Sequence, residues 1–165
     1  MAEPVGSAQA AEPPPRGVQI DCAGAADLDS MVALLGELFA LEADFSPAPE
    51  KQRAALRWIL DHPNHGRLFV LRDAGRVVGM CNALISVSTA EGGPVLVLED
   101  LIVAASHRRG GHGRRLVGHV LEWARGAGMS RVTLLADRDN SPALDFYARL
   151  GFEESAMVVR RRRIL

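Results

Sequence analysis

The sequence PVLVLEDLIVAASHRRGGHGRRLV (residues 94–117) has the pattern of a strand, a glycine-rich turn and a helix. Its first part holds two apolar runs on either side of the adjacent carboxylates Glu99 and Asp100. A basic turn with three glycines follows, and beyond it the apolar residues recur at helical spacing. We predict that this strand is the central one of the fold and that the turn lies at its carboxyl end.

The acidic pair conflicts with the apolar strand around it. Side chains alternate between the two faces of a strand, so the two carboxylates are predicted to lie on opposite faces. Glu99 would share its face with Val95, Val97, Leu101 and Val103, and Asp100 with Leu96, Leu98 and Ile102. A carboxylate is costly to bury without a partner. The pair therefore indicates a functional cleft or a β-bulge that opens the strand to solvent, and the two explanations are compatible because bulges often lie beside active sites.

The turn 108–113 has the composition of an anion site. Glycines allow backbone amides to approach a ligand closely, and a helix N-terminus offers unpaired N–H groups and a positive dipole end. The turn lacks the Gly-Lys-Ser/Thr ending of a P-loop and the GxGxxG spacing of a dinucleotide site. The alternative is a flexible basic turn with no ligand. The arginines that add charge are Arg108, Arg109, Arg114 and Arg115.

Length and composition limit the functional classes. The 165 residues suffice for one domain with a proper core, and the net charge of −1 does not favour nucleic-acid or membrane binding. Residues 1–17, rich in Ala, Glu and Pro, are predicted to be a disordered leader before a single domain over 18–165. Cys22 and Cys81 lie in apolar strand-like runs and are predicted to be buried free thiols. With no apolar run long enough to span a bilayer and no signal-peptide pattern, we expect a cytoplasmic protein.

The periodicity along the chain predicts a mixed α/β sheet with helices on both faces. Besides the central strand, strands are expected at 18–22, 67–72, 76–87, 131–136, 152–155 and 156–164. Helices are expected at 27–43 and 50–61, after the glycine turn, and from Asn140 to Gly151. The first helix leaves two alternatives for Glu42: the helix ends before it, or its side chain points inward into a cleft.

Three motifs in this order resemble those of the GNAT superfamily of acetyl-CoA-dependent N-acetyltransferases. The first is Arg108-x-x-Gly111-x-Gly113, similar to the Q/R-x-x-G-x-G/A loop of that family. The second is the spacing from LEDLIV (98–103) into the loop, and the third is Asn140 followed by FYARLGF (146–152). The resemblance implies a mostly antiparallel sheet of six to seven strands, splayed at its centre to admit acetyl-CoA.

The resemblance also implies roles for individual residues. Glu99 would be the general base, with Asp100 in reserve, and Tyr147 would be the general acid that protonates the leaving thiolate. His112 departs from the family pattern, which usually has an apolar residue there, and receives no catalytic role. Cofactor contacts would come from Leu101, Ile102, Val103, Arg108, Arg109, Gly110, Gly111, His112, Gly113, Arg114, Asn140 and Tyr147.

The acceptor implied by the resemblance is a primary amine of a small molecule. Glu42, Asp44 and Asp100 would attract a cation, which fits a polyamine or diamine. The alternatives are a protein N-terminus or lysine as acceptor, and a CoA-binding regulatory module without catalysis. The arginines at 160–163 are expected to face solvent from the last strand rather than to bind nucleic acid. No metal is expected, and a homodimer is compatible with such folds.

Overall fold

The computed structural model describes residues 17–42 and 44–164, so the predicted leader lies outside the described residues except for Gly17. The strands are β1 (Gln19–Cys22), β2 (Gly66–Asp73), β3 (Arg76–Ser88), β4 (Gly93–Val103) and β5 (Val132–Leu134). The helices are α1 (Leu28–Phe39), α2 (Pro49–Asp61), α3 (His112–Gly126) and α4 (Ser141–Ala148). One turn of 3-10 helix precedes α1, and another, Ala105–His107, follows β4.

The five strands form one sheet in chain order, β1-β2-β3-β4-β5. The first four are antiparallel, and the β2–β3 hairpin turns through Ala74 and Gly75, both with positive φ, as a two-residue hairpin of this handedness requires. Strand β5 pairs parallel with β4 after the α3 crossover, but only from Leu96 to Leu98. Beyond Leu98 the two strands separate, which is the predicted splay.

Each face of the sheet is covered by helices. Buried side chains of α1 and α2, including Met31, Leu35 and Leu56, pack on Val70 and Met80. On the other face, Leu116, Val117 and Val120 of α3 pack on a second cluster that includes Phe69 and Leu96. The amphipathic periodicity of α3 predicted this face, because helix residues three and four apart share one side.

A β-bulge at the acidic pair changes the predicted alternation of β4. Met80 of β3 pairs with Ile102, and Asn82 pairs with Glu99, so Cys81 alone opposes two residues of β4. Asp100 takes up the extra residue with a φ of 51°, in the left-handed region.

The prediction that Glu99 and Asp100 lie on opposite faces is therefore wrong. Glu99 stands opposite Asn82, and Asp100 accepts a hydrogen bond from the same asparagine, so both carboxylates belong to the α1/α2 face. The bulge also moves Ile102 to that face, away from Leu96 and Leu98, while Leu101 joins the α3 face.

The C-terminal segment differs from its prediction. Residues 152–164 form no strand, and five strands rather than six or seven make up the sheet in the described part of the chain. Phe152 packs against the α3-side core, but Met157 and Ile164 are 87% and 91% exposed, so the rest of this segment offers no apolar face to the core. Consecutive arginines also lack the polar-apolar alternation that fixes a strand on a sheet.

Two further observations complete the fold. Cys81 is buried as predicted, but Cys22 is exposed, because β1 is the edge strand of the sheet. In the described ranges, no helix combines the length and apolar character needed to cross a bilayer.

Candidate active site

A cleft of about 560 Å³ opens where β4 and β5 separate. Leu101 and Val103 line it from the sheet, Tyr147 lines it from α4, and the basic turn and the start of α3 close its end. Ile102 is buried on the opposite face, so only its backbone can serve this cleft. Other lining residues are His107, Arg108, Arg109, Gly111, His112, Gly113, Arg114, Pro142, Ala143, Phe146, Arg149 and Leu150.

The basic turn is shaped by left-handed residues. Arg109 has a φ of 66°, and Gly111, the N-cap of α3, has a φ of 76°. The Arg108 side chain is fixed at the start of the turn, because its Nε donates to the Val103 carbonyl at 2.8 Å. The first-turn N–H groups of α3 have no intrahelical acceptors, and together with the guanidinium groups of Arg114 and Arg149 they can bind a polyanion.

Two histidines stand at this end of the cleft. His112 is the first residue of α3, and its Nδ1 is buried with no hydrogen-bond partner in the described structure. His107 lies between Ser106 Oγ, at 2.8 Å from Nδ1, and Asp73 Oδ2, at 3.2 Å from Nε2. Sequence patterns gave no role to His107, because a histidine in a short connection carries no periodic signal.

Helix α4 brings Tyr147 to the cleft. The Asn140 Oδ1 caps the helix by accepting from the Ala143 N–H at 3.2 Å, as its position before Pro142 predicts. Burial, together with the nearby Cys81 and Glu42, raises the pKa of Tyr147 to about 12. The phenol is therefore protonated at neutral pH and can donate its proton.

A second cavity, of about 180 Å³, lies on the other face of the bulge, between α1 and α2. Asp100 and Asn82 form its polar wall, and Asn82 Nδ2 donates to Asp100 Oδ2. Asn82 is 4% exposed, and its Oδ1 is buried without a partner in the described structure. Burial, and to a smaller extent repulsion from Glu99 and Glu42, raises the pKa of Asp100 to about 7.

Glu42 is close enough to Asp100 to influence its charge, and the first of its two predicted alternatives holds. Helix α1 ends at Phe39, before Glu42, yet the Glu42 side chain is half-buried. Burial raises the pKa of Glu42, as does the nearby Asp137, whereas Arg161 lowers it. Glu42 in turn raises the pKa of both Asp100 and Tyr147, so its charge acts on a residue of each cavity.

The other predicted acceptor residues differ in their surroundings. Asp44 forms an ion pair with Arg161 at 2.6 Å, so its charge is already matched by the C-terminal segment. Glu99 is exposed beside Asp100.

Sequence reasoning missed Asn82 and Asp137. Asn82 could have been found from its polar side chain inside the largely apolar run 77–87. Asp137 lies in a loop, where no sequence pattern marks it. Among the described residues, no cluster of three or more His, Cys, Asp or Glu is arranged to hold a metal ion.

Comparisons with known proteins agree with this geometry. The sequence model of the acetyltransferase (GNAT) family matches residues 32–152. An aminoglycoside N(6')-acetyltransferase type 1 from Serratia marcescens is 32% identical over 142 residues, covering 84% of this chain and 94% of that protein.

Solved structures share the fold. A Trypanosoma brucei acetyltransferase is 25% identical with a TM-score of 0.70, over 89% of this chain and all of that one. AAC(6')-Iy, in complex with the bisubstrate analog CoA-S-monomethyl-acetylneamine, has a TM-score of 0.75 at 23% identity, over 90% of this chain and 99% of that one. The chain thus belongs to the acetyltransferase (GNAT) family and is an acetyl-CoA-dependent N-acetyltransferase.

Proposed function

We propose that this enzyme acetylates a primary amine of a small molecule by direct attack within a ternary complex. The observation that carries the proposal is the bulge at Asp100. It turns Asp100 toward the α1/α2 face, on which Glu99 already lies, while Leu101 and Val103 line the cleft on the other side. An acceptor and a donor can therefore approach the same short stretch of β4 from opposite sides.

Acetyl-CoA would occupy the 560 Å³ cleft. The N–H groups of Gly111 to Arg114 and the cleft arginines suit its pyrophosphate, whereas Gly110 does not line the cleft. Backbone groups of residues 101–103 would pair with the pantetheine arm of acetyl-CoA. Arg108 and Asn140 contribute indirectly, because Arg108 fixes the turn and Asn140 fixes the start of α4. His112 Nδ1 has a free hydrogen-bonding position at the same end.

The two proton transfers of the reaction are assigned to one residue on each side of the bulge, Glu99 and Tyr147. An alkylamine is protonated at neutral pH and must lose a proton before it attacks. Glu99 accepts that proton, directly or through water, and the freed lone pair forms the bond to the acetyl carbon. Tyr147 donates its hydroxyl proton to sulfur as the carbon–sulfur bond breaks, and the phenolate then recovers the second proton of the amine. Glu99 is exposed and returns its proton to solvent.

The acidic cluster of Glu42, Asp100 and Asp137 favours a cationic acceptor such as a diamine or polyamine. An amino sugar is the second candidate, because the Serratia marcescens relative is an aminoglycoside acetyltransferase. A protein N-terminus is a weaker candidate, since the cavity beside Asp100 measures only about 180 Å³, whereas a lysine side chain is an amine on a four-carbon stem and is the third candidate. The retention of Glu99 and Tyr147 argues against a CoA-binding module without catalysis.

The exposed free thiol of Cys22 supports a reducing, cytoplasmic location. Exposed apolar side chains near the C-terminus, such as Met157, would suit a homodimer contact.

The test is a screen of amine acceptors with acetyl-CoA, in which the released thiol of CoA measures the rate of acetyl transfer. We expect turnover with small primary amines, a fall in kcat of roughly a hundredfold or more in Glu99→Gln, and a similar fall in Tyr147→Phe. Glu122→Gln, on the exposed side of α3, is the control and should keep wild-type kcat. Full activity of Glu99→Gln would contradict the assigned base, and no transfer to any amine would contradict the proposed function.

A further inference from the structure

The cavity beside Asp100 combines an apolar interior with one polar wall. Leu35, Phe39, Leu56 and Ile59 supply apolar lining from α1 and α2, and Ala55 lies at its α2 side. Lys51 and Gln52 also line it, but the Gln52 side chain is engaged, because its Oε1 accepts from the Ala48 N–H at 2.8 Å. The cavity therefore suits a ligand with a hydrocarbon body and one polar end.

Lys51 lines the cavity, but it is exposed and forms no ion pair with the polar wall in the described structure. In the part of the chain that the structure describes, Asp100 forms no ion pair, and its charged neighbours Glu99 and Glu42 are both acidic. Asn82 holds the Asp100 carboxylate by donating from Nδ2, and the buried Asn82 Oδ1 is left as an unused acceptor. A buried polar atom without a partner is costly, and a donor bound beside Asp100 would relieve that cost.

We propose that the acceptor is an amine on a compact hydrocarbon stem, with its ammonium paired to Asp100 and its stem in the cavity between α1 and α2. Asn82 is a positioning residue that orients the Asp100 carboxylate. This inference rests on the proposed function, because it names the acceptor class of the same site. It favours hydrocarbon amines over amino sugars, whose hydroxyl groups would find apolar walls here.

The volume sets an upper limit on the stem. A cavity of 150 Å³ lined by Leu, Ile and Phe is known to hold benzene, so about 180 Å³ accommodates roughly six to eight non-hydrogen atoms. Each methylene that leaves water improves affinity about fourfold. Affinity should therefore rise along the series from ethylamine to hexylamine and then level off.

The test measures equilibrium binding of these n-alkylamines to the full chain in the presence of CoA, which lacks the acetyl group and prevents turnover. We expect a rise of about fourfold per carbon for the wild-type protein. Ala55→Leu should fill the cavity and flatten this rise, whereas Ala54→Leu, on the same helix but outside the cavity, should leave it unchanged. 6-Amino-6-deoxyglucose should bind at least about tenfold more weakly than butylamine.

Kinetics test the role of Asn82. Asn82→Leu should raise the acceptor KM about tenfold with a smaller change in kcat and none in the acetyl-CoA KM. A flat alkylamine series in the wild type, or the same slope in Ala55→Leu, would overturn the inference while leaving amine acetylation intact. A steep series without acetyl transfer to any amine would support the cavity and contradict the proposed function instead.

Discussion

Asp100 shows how one residue can combine a backbone role with a chemical one. Its φ of 51° allows the bulge, and aspartate and asparagine tolerate this left-handed conformation better than most residues. The same bulge carries its carboxylate to the wall of a cavity where it has no ion-pair partner among the described residues, and burial raises its pKa to about 7. The unpaired carboxylate therefore costs stability in the protein alone, and an ammonium ligand of the proposed kind would relieve that cost.

That cost has a definite pH dependence. The pKa of Asp100 rises from 3.8 to about 7 on folding, so the folded state holds the proton that the unfolded state has released. Asp100 therefore lowers the free energy of unfolding progressively as pH rises from about 4 to 7, by at most about 1.4 kcal/mol per pH unit.

Asp100→Asn removes this titration and suits the left-handed backbone. We expect its gain in free energy of unfolding over the wild type to be roughly 2 to 4 kcal/mol larger at pH 8 than at pH 4. Urea denaturation at the two pH values measures this difference. Equal gains for Asp100→Asn at the two pH values would contradict the assignment.

The sequence alone located both carboxylates, and it raised a bulge as one of two explanations. It could not show that they share a face, because alternation along β4 is reset by an extra residue whose partner, Cys81, lies on another strand. Asn82 was missed for the same reason. Its function depends on register across β3 and β4, which the local pattern does not encode.

At the level of elements, local signals were sufficient for most of the fold. The helices α2, α3 and α4 and the β2–β3 hairpin were predicted within a few residues, because proline, glycine and apolar periodicity act locally. Helix α1 ends at Phe39, earlier than the predicted residue 43, since the apolar stripe continues past the last helical turn. Glu42 therefore lies in the connection after α1, where its charge influences Asp100.

The junction of the turn with α3 gives a matched pair of glycine substitutions. Gly111 has a φ of 76°, whereas Gly118 lies inside the helix with open space where a Cβ would stand. We expect Gly111→Ala to lower the free energy of unfolding by about 1 to 2 kcal/mol and to raise the acetyl-CoA KM severalfold. Gly118→Ala should stabilise the protein by up to about 1 kcal/mol.

Chemical denaturation and acetyl-CoA kinetics on both variants check this prediction. An unchanged acetyl-CoA KM in Gly111→Ala, despite its lower stability, would indicate that the turn does not bind the cofactor.

At the level of the whole molecule, the largest difference between prediction and structure is the C-terminal segment, which was predicted to form two strands. Its apolar residues suggested strands, but strand formation needs a partner edge, and β5 pairs over only three residues. The segment instead contacts the connection between α1 and α2. Arg161 pairs with Asp44 at 2.6 Å, and its guanidinium carbon lies 5.0 Å from the centre of the Phe45 ring.

Because of this contact, the acidic residues that were expected to attract the acceptor differ in whether their charge is already paired. Asp44 is matched by Arg161, whereas the half-buried Glu42 keeps an electrostatic influence on Asp100. We expect Asp44→Asn to change the acceptor KM by less than about twofold and the free energy of unfolding by less than about 1 kcal/mol, because exposed ion pairs contribute little. Glu42→Gln should raise the acceptor KM about threefold to tenfold, since it removes a charge in a partly buried environment.

Steady-state kinetics with one alkylamine and a fixed acetyl-CoA concentration measure both effects. Asp29→Asn, which breaks the exposed pair with Arg53 on the outside of α1, is the control for the loss of an ion pair as such. If Asp44→Asn raised the acceptor KM as much as Glu42→Gln, Asp44 would contact the substrate despite Arg161. A lowered KM in Arg161→Gln would then follow as well, because the freed carboxylate would be open to the ammonium, and the C-terminal segment would compete with the acceptor for the same charge.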